Sequence, residues 1–180
     1  MECALPLRMA HPYPPHWAKF SYVGRYEYSL TFVTLDRCVV FENAEPVDLV
    51  LPQILRAAME KHFALITYCF MPDHLHLIVG GEDDEADCKA FIKSAKQYSA
   101  YYYSRARRAK LWDRYGHDRV IRDEMELAMT IGYVVANPVT AGLVKHPRDY
   151  PFLGSTKYTI EELLQWCQYS EIFGDISPSA

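Results

Sequence analysis

Within Phe70-Met-Pro-Asp-His-Leu-His-Leu-Ile-Val79, His74 and His76 stand one residue apart in a run that ends Leu-Ile-Val. Apolar alternation of this kind predicts a β-strand. Residues i and i+2 of a strand point to one face, so both imidazoles project side by side, as two ligands of one metal ion must. Pro72 and Asp73 form a turn signal just before them, which puts the pair at the strand's entrance, near a surface. The same two residues also read as half-buried strand histidines bonded to backbone or water, because a short motif alone does not separate the two.

Tyr133 and Asn137 are four residues apart in a stretch with helical periodicity, so they share a face. A phenol is a poor nucleophile at neutral pH, with a pKa of about 10. Beside a divalent metal and a phosphodiester it can act, because the metal withdraws charge from the phosphate and a covalent phosphotyrosine splits one hard transfer into two easier ones. With two imidazoles, the Asn137 carbonyl oxygen suits Mg²⁺ or Mn²⁺. The bland alternative makes Tyr133 a core aromatic and Asn137 a helix C-cap before Pro138.

Residues 86–122 hold ten bases (Lys89, Lys93, Lys96, Arg105, Arg107, Arg108, Lys110, Arg114, Arg119 and Arg122) against three acids, Asp87, Asp113 and Asp118. That local excess of seven positive charges stands in a chain whose net charge is −4. Tyr98, Tyr101, Tyr102, Tyr103, Trp112 and Tyr115 are interleaved with it. Bases that grip phosphates and rings that stack on unpaired nucleobases are the pattern of a single-strand binder. A solvated helix face over packed aromatics has the same appearance, and the Tyr98–Tyr103 run supplies rival nucleophiles that spacing does not exclude.

The elements that must position these groups follow from the order of patterns. At 180 residues, half of them hydrophobic, the chain can bury a proper core. No apolar run reaches a membrane span, and Met1–Pro6 lacks the basic and apolar regions of a secretory signal. Cys3, Cys38, Cys69, Cys88 and Cys167 form no CxxC pair and read as reduced thiols, so a cytoplasmic protein is expected. Residues 1–22, with Pro6, Pro12, Pro14 and Pro15, read as an irregular leader. Tyr28–Leu35 predicts a first strand, resuming at Cys38–Phe41, and Val47–His62 a helix. Ala64–Met71 and His74–Gly80 predict a hairpin, Ala86–Lys110 a long helix, and Trp112–Arg122 a stretch able to hold a fourth strand. Asp123–Ala136 predicts a helix that Pro138 closes, and Ile160–Tyr169 a final one. The expected fold is α+β: a ferredoxin-like βαββαβ antiparallel sheet with two helices on one face, the histidine strand central, an added helix near the histidines and a C-terminal extension. The division expected is a core domain at 23–145 and the extension at 146–180.

Three segments together carry a resemblance. Met71-Pro-Asp-His-Leu-His-Leu-Ile-Val79, Trp112-Asp-Arg-Tyr-Gly-His-Asp-Arg-Val-Ile-Arg-Asp-Glu124 and Tyr133-Val-Val-Ala-Asn-Pro-Val-Thr-Ala-Gly-Leu-Val144 resemble the REP-associated tyrosine transposases, which belong to the single-tyrosine HUH transposases. Tyr150–Tyr158 and Tyr28–Phe41 are similar to flanking segments of that family, so the likeness runs in order over residues 24–158. It implies cleavage and rejoining of single-stranded or hairpin DNA, dependent on Mg²⁺ or Mn²⁺, through a 5′-phosphotyrosine. By motif position it makes His74, His76 and Asn137 metal ligands and Tyr133 the nucleophile, ahead of Tyr101–Tyr103. Lys93, Lys96, Arg105, Arg107, Arg108, Lys110 and Arg114 are then the expected DNA-binding residues, in a monomer or homodimer that meets no membrane. The chain departs from the family in its acidic net charge and in Val134-Val135-Ala136, where an aromatic is frequent. Two further readings remain beside the nicking transposase: a domesticated hairpin-binding protein that cuts nothing, and a metal-dependent hydrolase that uses water in place of tyrosine.

Overall fold

A computed structural model describes residues 20–173. Most of the expected leader, residues 1–19, lies outside them with 174–180, as do the side chains of Tyr115 and 167–173. In chain order the elements are β1 (Glu27–Thr34), α1 (Ala44–Glu60), β2 (Phe63–Met71), β3 (His74–Gly81), α2 (Cys88–Arg107), β4 (Trp112–Ile121), α3 (Glu124–Thr140), β5 (Leu153–Gly154) and α4 (Ile160–Phe173). The sheet order is β4-β1-β3-β2-β5 and every pairing is antiparallel. The expected βαββαβ frame is therefore present, and the histidine strand is the middle strand of five.

Alternation along the strands divides the sheet into two faces. Tyr28, Leu30 and Phe32 of β1 and Leu75, Leu77 and Val79 of β3 pack with Val50, Ile54 and Ala57 of α1 and Phe91 and Ala95 of α2. Each large apolar side chain buried there contributes about 1.5–3 kcal/mol. The opposite face carries a second core of Ile78, Cys69, Met71 and Ile121 under Ile131, Val134 and Val135 of α3, with Leu163 of α4. An extra residue in β2, Ile66, opposes no partner on β3 and turns its side chain into this second core. The stretch beyond residue 145 joins the same body: β5 pairs with β2, and the Tyr150 hydroxyl donates to the Phe70 carbonyl at 2.6 Å.

Two local expectations need correction. Cys38–Phe41 is not a strand. The chain leaves the sheet after Thr34 through a 3-10 turn, Leu35–Arg37, with Asp36 and Arg37 both at positive φ. Val40 and Phe41 then give their N–H groups to the Pro72 carbonyl, not to a ladder. Pro138 does not close α3 either, for the helix runs on to Thr140 with Pro138 buried inside it. The ring removes one backbone donor, but the Asn137 carbonyl still accepts from Ala141 N and packing holds the last turn. Among the described cysteines, Cys38, Cys69 and Cys88 are free thiols.

Candidate active site

A two-residue turn, Pro72-Asp73, joins β2 to β3 and places His74 and His76 at the first rungs of the central strand. Leu75 and Leu77 point into the α1/α2 core, so the two histidines face the other way, toward α3. Their Nε2 atoms converge to 3.0 Å and the rings stand edge to face, with centroids 4.6 Å apart. On its far side, His74 Nδ1–H donates to Asp73 Oδ1 at 2.6 Å. His76 Nδ1 lies 3.3 Å from the hydroxyl of Thr31, its cross-strand partner on β1.

Both Nδ1 atoms thus have a partner and the two Nε2 atoms face each other, so the Nε2 side of the pair is the one that could meet a metal. Two imidazole nitrogens this close could serve one divalent cation, and with oxygen ligands added the set would suit Mg²⁺ or Mn²⁺. Burial, and then the neighbouring His74, push the pKa of His76 down to about 3, so this ring stays a neutral donor at any working pH. Burial raises the Asp73 carboxyl, but the hydrogen bond from His74 and the Arg37 guanidinium outweigh it and hold the pKa below the usual carboxylate range.

Tyr133 stands against His76. Its ring centroid is 5.8 Å from that of His76, at an interplanar angle of 79°, and the residue is 45% exposed. A side chain that is both open and against a half-buried imidazole is available to a substrate, which a core tyrosine is not. The helix that carries it is tied to the sheet. Arg119 of β4 pairs with Glu126 at 3.1 Å and reaches Thr130 Oγ1 at 3.4 Å. Asp123 caps the helix by accepting from Glu126 N. Asn137 shares the face, yet its Nδ2 donates to the Tyr133 carbonyl at 2.9 Å, and no hydrogen bond joins it to either histidine. Among the described residues no group of three or more His, Cys, Asp or Glu could hold an ion. Oxygen from Asn137, from water or from a phosphate would have to complete the shell, as is usual for Mg²⁺.

The basic stretch divides. Arg105, Arg107, Arg108, Lys110 and Arg114 are exposed at the C-terminal end of α2 and the start of β4. Trp112 pairs with Thr34 and Leu35 N–H donates to the Leu111 carbonyl, so this cluster lies at the end of the sheet where the histidines begin. Arg107 is also paired with Glu45 at 2.7 Å. Lys93 is exposed further back along α2. Lys96 is half-buried, with its Nζ donating to the Asp113 carbonyl at 3.0 Å and its pKa lowered by burial. The aromatics divide too. Tyr101 and Tyr102 are exposed, at 54% and 43%. Tyr103 is buried, Tyr98 donates to Glu60, and Trp112 packs on Phe32 and Phe41 while its indole N–H donates to Ser99. Thr31 and Arg37 beside the histidines, and the clasp of Arg119 with Glu126, had no sequence signal, and Asp73 had only that of a turn.

The profile of the IS200-like transposases matches residues 22–120, more than half of the chain. This chain belongs to the IS200-like transposase family. The matched stretch holds His74 and His76 and ends before Tyr133. A Haemophilus influenzae protein assigned, provisionally, as a REP-associated tyrosine transposase is 27% identical in an alignment 109 residues long that covers 50% of this chain and 57% of that one. The chain thus matches less than two thirds of that relative's length. The solved structure of a REP-associated tyrosine transposase bound to a REP hairpin superposes with a TM-score of 0.67 at 17% identity, covering 94% of this chain and 95% of that one. At that identity the likeness is one of fold, and it includes the mixed α/β architecture with the antiparallel sheet expected from the motifs. Among the described residues no helix is long and apolar enough to cross a membrane.

Proposed function

We propose that this transposase cleaves and rejoins single-stranded DNA beside a hairpin, with Tyr133 as nucleophile and a divalent cation held by His74 and His76. The observation that carries the reading is the edge-on approach of the open Tyr133 ring to His76, whose Nε2 converges with that of His74. When bound, Mg²⁺ or Mn²⁺ would draw charge from the scissile phosphate and so lower the barrier to attack. The chain's own residues do the rest. Tyr133 Oη forms a bond to phosphorus as the P–O3′ bond breaks. The phenolic proton is lost and the departing 3′-oxygen is protonated, which leaves a free 3′-hydroxyl and a 5′-phosphotyrosine. Attack by a 3′-hydroxyl on that phosphotyrosine reverses the step and restores the tyrosine, so the bond energy is conserved for rejoining. Asn137 shares the nucleophile's helical face and offers an oxygen as a further ligand. The exposed bases at the end of α2, with Tyr101 and Tyr102, would grip the hairpin and the unpaired strand next to the histidines. This fits the REP hairpin held by the solved relative of the same fold. Nucleoid association would follow from that binding.

The test is a hairpin oligonucleotide with a single-stranded flank, labelled 3′ of the scissile bond and incubated with protein and Mn²⁺. The reading expects a labelled band that migrates with the protein on a denaturing gel. Cleavage without such a band would favour the water-using hydrolase. Hairpin binding with neither would favour the non-cutting protein, a reading for which the retention of the Asn137 amide against its own helix speaks.

A further inference from the structure

Asp73 fills the second position of the Pro72-Asp73 turn, a place where aspartate needs no special account. A turn-forming aspartate, however, accepts from backbone N–H groups nearby, and neither Asp73 oxygen does so here. Oδ1 takes the His74 Nδ1–H at 2.6 Å and Oδ2 takes the Arg37 guanidinium at 3.1 Å. The backbone of the turn is held from elsewhere. Thr34, fully buried, donates its N–H to the Asp73 carbonyl at 3.0 Å, and its hydroxyl lies between the carbonyls of Asp73, at 2.8 Å, and Cys38, at 2.7 Å. Val40 and Phe41 N–H groups donate to the Pro72 carbonyl. The carboxylate is thereby left to act on side chains.

Arg37 is delivered by an unusual turn. Asp36 and Arg37 have φ of 54° and 51°, two successive non-glycine residues in the left-handed region, which persist only where the surroundings hold them. The pair Arg37–Asp73 is itself largely open, with Arg37 66% exposed, so the contact adds little to stability. What it does do is fix the direction of the carboxylate.

We infer that Asp73 is a positioning residue for His74, and Arg37 for Asp73, so that the chain Arg37–Asp73–His74 sets the tautomer and raises the donor strength of one metal ligand. The inference rests on the metal-binding reading of His74 and His76. The two ligands are then unequal, since His74 is backed by a charged carboxylate and His76 by the neutral Thr31 hydroxyl. Loss of such an outer partner weakens metal binding about 10–100-fold.

The experiment is titration of the intact protein with Mn²⁺ alone, read by the EPR signal of the free ion at constant pH. The D73A variant should bind Mn²⁺ about 10–100-fold more weakly than wild type. D73N keeps an oxygen to accept the Nδ1–H but lacks the charge, and should fall between them; R37A should lose less than D73A. Binding by D73A within twofold of wild type would overturn the inference. If D73A does not fold, as circular dichroism would report, D73N and R37A both within twofold of wild type overturn it instead. H76A keeps the two failures apart. If H76A loses Mn²⁺ and D73A does not, only the positioning role is wrong; if H76A binds as wild type does, the metal site itself is misassigned.

Discussion

Acid should destabilise the metal-free protein through His76, by an amount that can be worked out. Its pKa in the folded chain is about 3, against about 6.5 in an unfolded one. As pH falls below 6.5 the unfolded state takes up a proton that the folded state refuses, so stability is lost on acidification and returns as pH rises. The rate is about 1.4 kcal/mol per pH unit between the two values. From pH 7.5 to 5.0 the loss assigned to this one ring is thus on the order of 2 kcal/mol. That is a large share of the 5–15 kcal/mol by which domains are typically stable. The window stops above the range where Asp73 titrates. Its depressed pKa contributes stability that is present above about 3.9 and lost only as pH falls further. The assay is urea unfolding in EDTA at pH 7.5 and 5.0 for wild type and His76→Gln. Glutamine can keep a bond to the Thr31 hydroxyl and carries no titrating group. The difference between the two pH values should shrink in the variant by on the order of 2 kcal/mol. Equal pH dependence in both proteins would show that His76 is solvated in solution, and the argument for a neutral, inward-turned His76 would fail with it.

Trp112→Phe should cost about 0.5–1.5 kcal/mol by removing the indole N–H that donates to Ser99, since the buried Ser99 hydroxyl keeps its bond to the Ala95 carbonyl, while the salt dependence of hairpin binding stays as in wild type; a loss of binding with stability intact would return Trp112 to the DNA surface. Replacement of Arg105, Arg107 and Arg108 by alanine should flatten the slope of log K against log salt by about 0.7 for each phosphate contact removed, measured by fluorescence anisotropy. An unchanged slope would put the DNA on another face.

The parts of this molecule that were legible beforehand are those with local periodicity. The Leu75–Leu77–Val79 alternation pointed one way, so the histidines between had to point the other, and both faces are as expected. The helical spacing of Tyr133 and Asn137 survives as well, although the structure ties the Asn137 amide to its own backbone. The aromatic run was illegible because burial depends on tertiary neighbours. Tyr102 and Tyr103 are adjacent in sequence, yet one is open and the other buried. Cys38–Phe41 misled because β-branched residues favour strands only where a partner strand exists, and here the chain had already turned away at two left-handed residues. Asp73 was hidden because turn chemistry explains aspartate there without reference to His74.

The most direct test of the account is to find where the DNA is attached. Protein incubated with Mn²⁺ and hairpin substrate is digested with nuclease and protease, and the phosphorylated peptide is sequenced by mass spectrometry, for wild type and Tyr133→Phe. The Tyr133 hydroxyl makes no hydrogen bond within the described residues, so the variant should lose less than about 0.5 kcal/mol of stability and should still bind the hairpin. The account predicts phosphate on Tyr133 in wild type and no adduct at all in Tyr133→Phe. Phosphate on Tyr101, Tyr102 or Tyr103, or an adduct that survives in Tyr133→Phe, would contradict it and move the chemistry to α2.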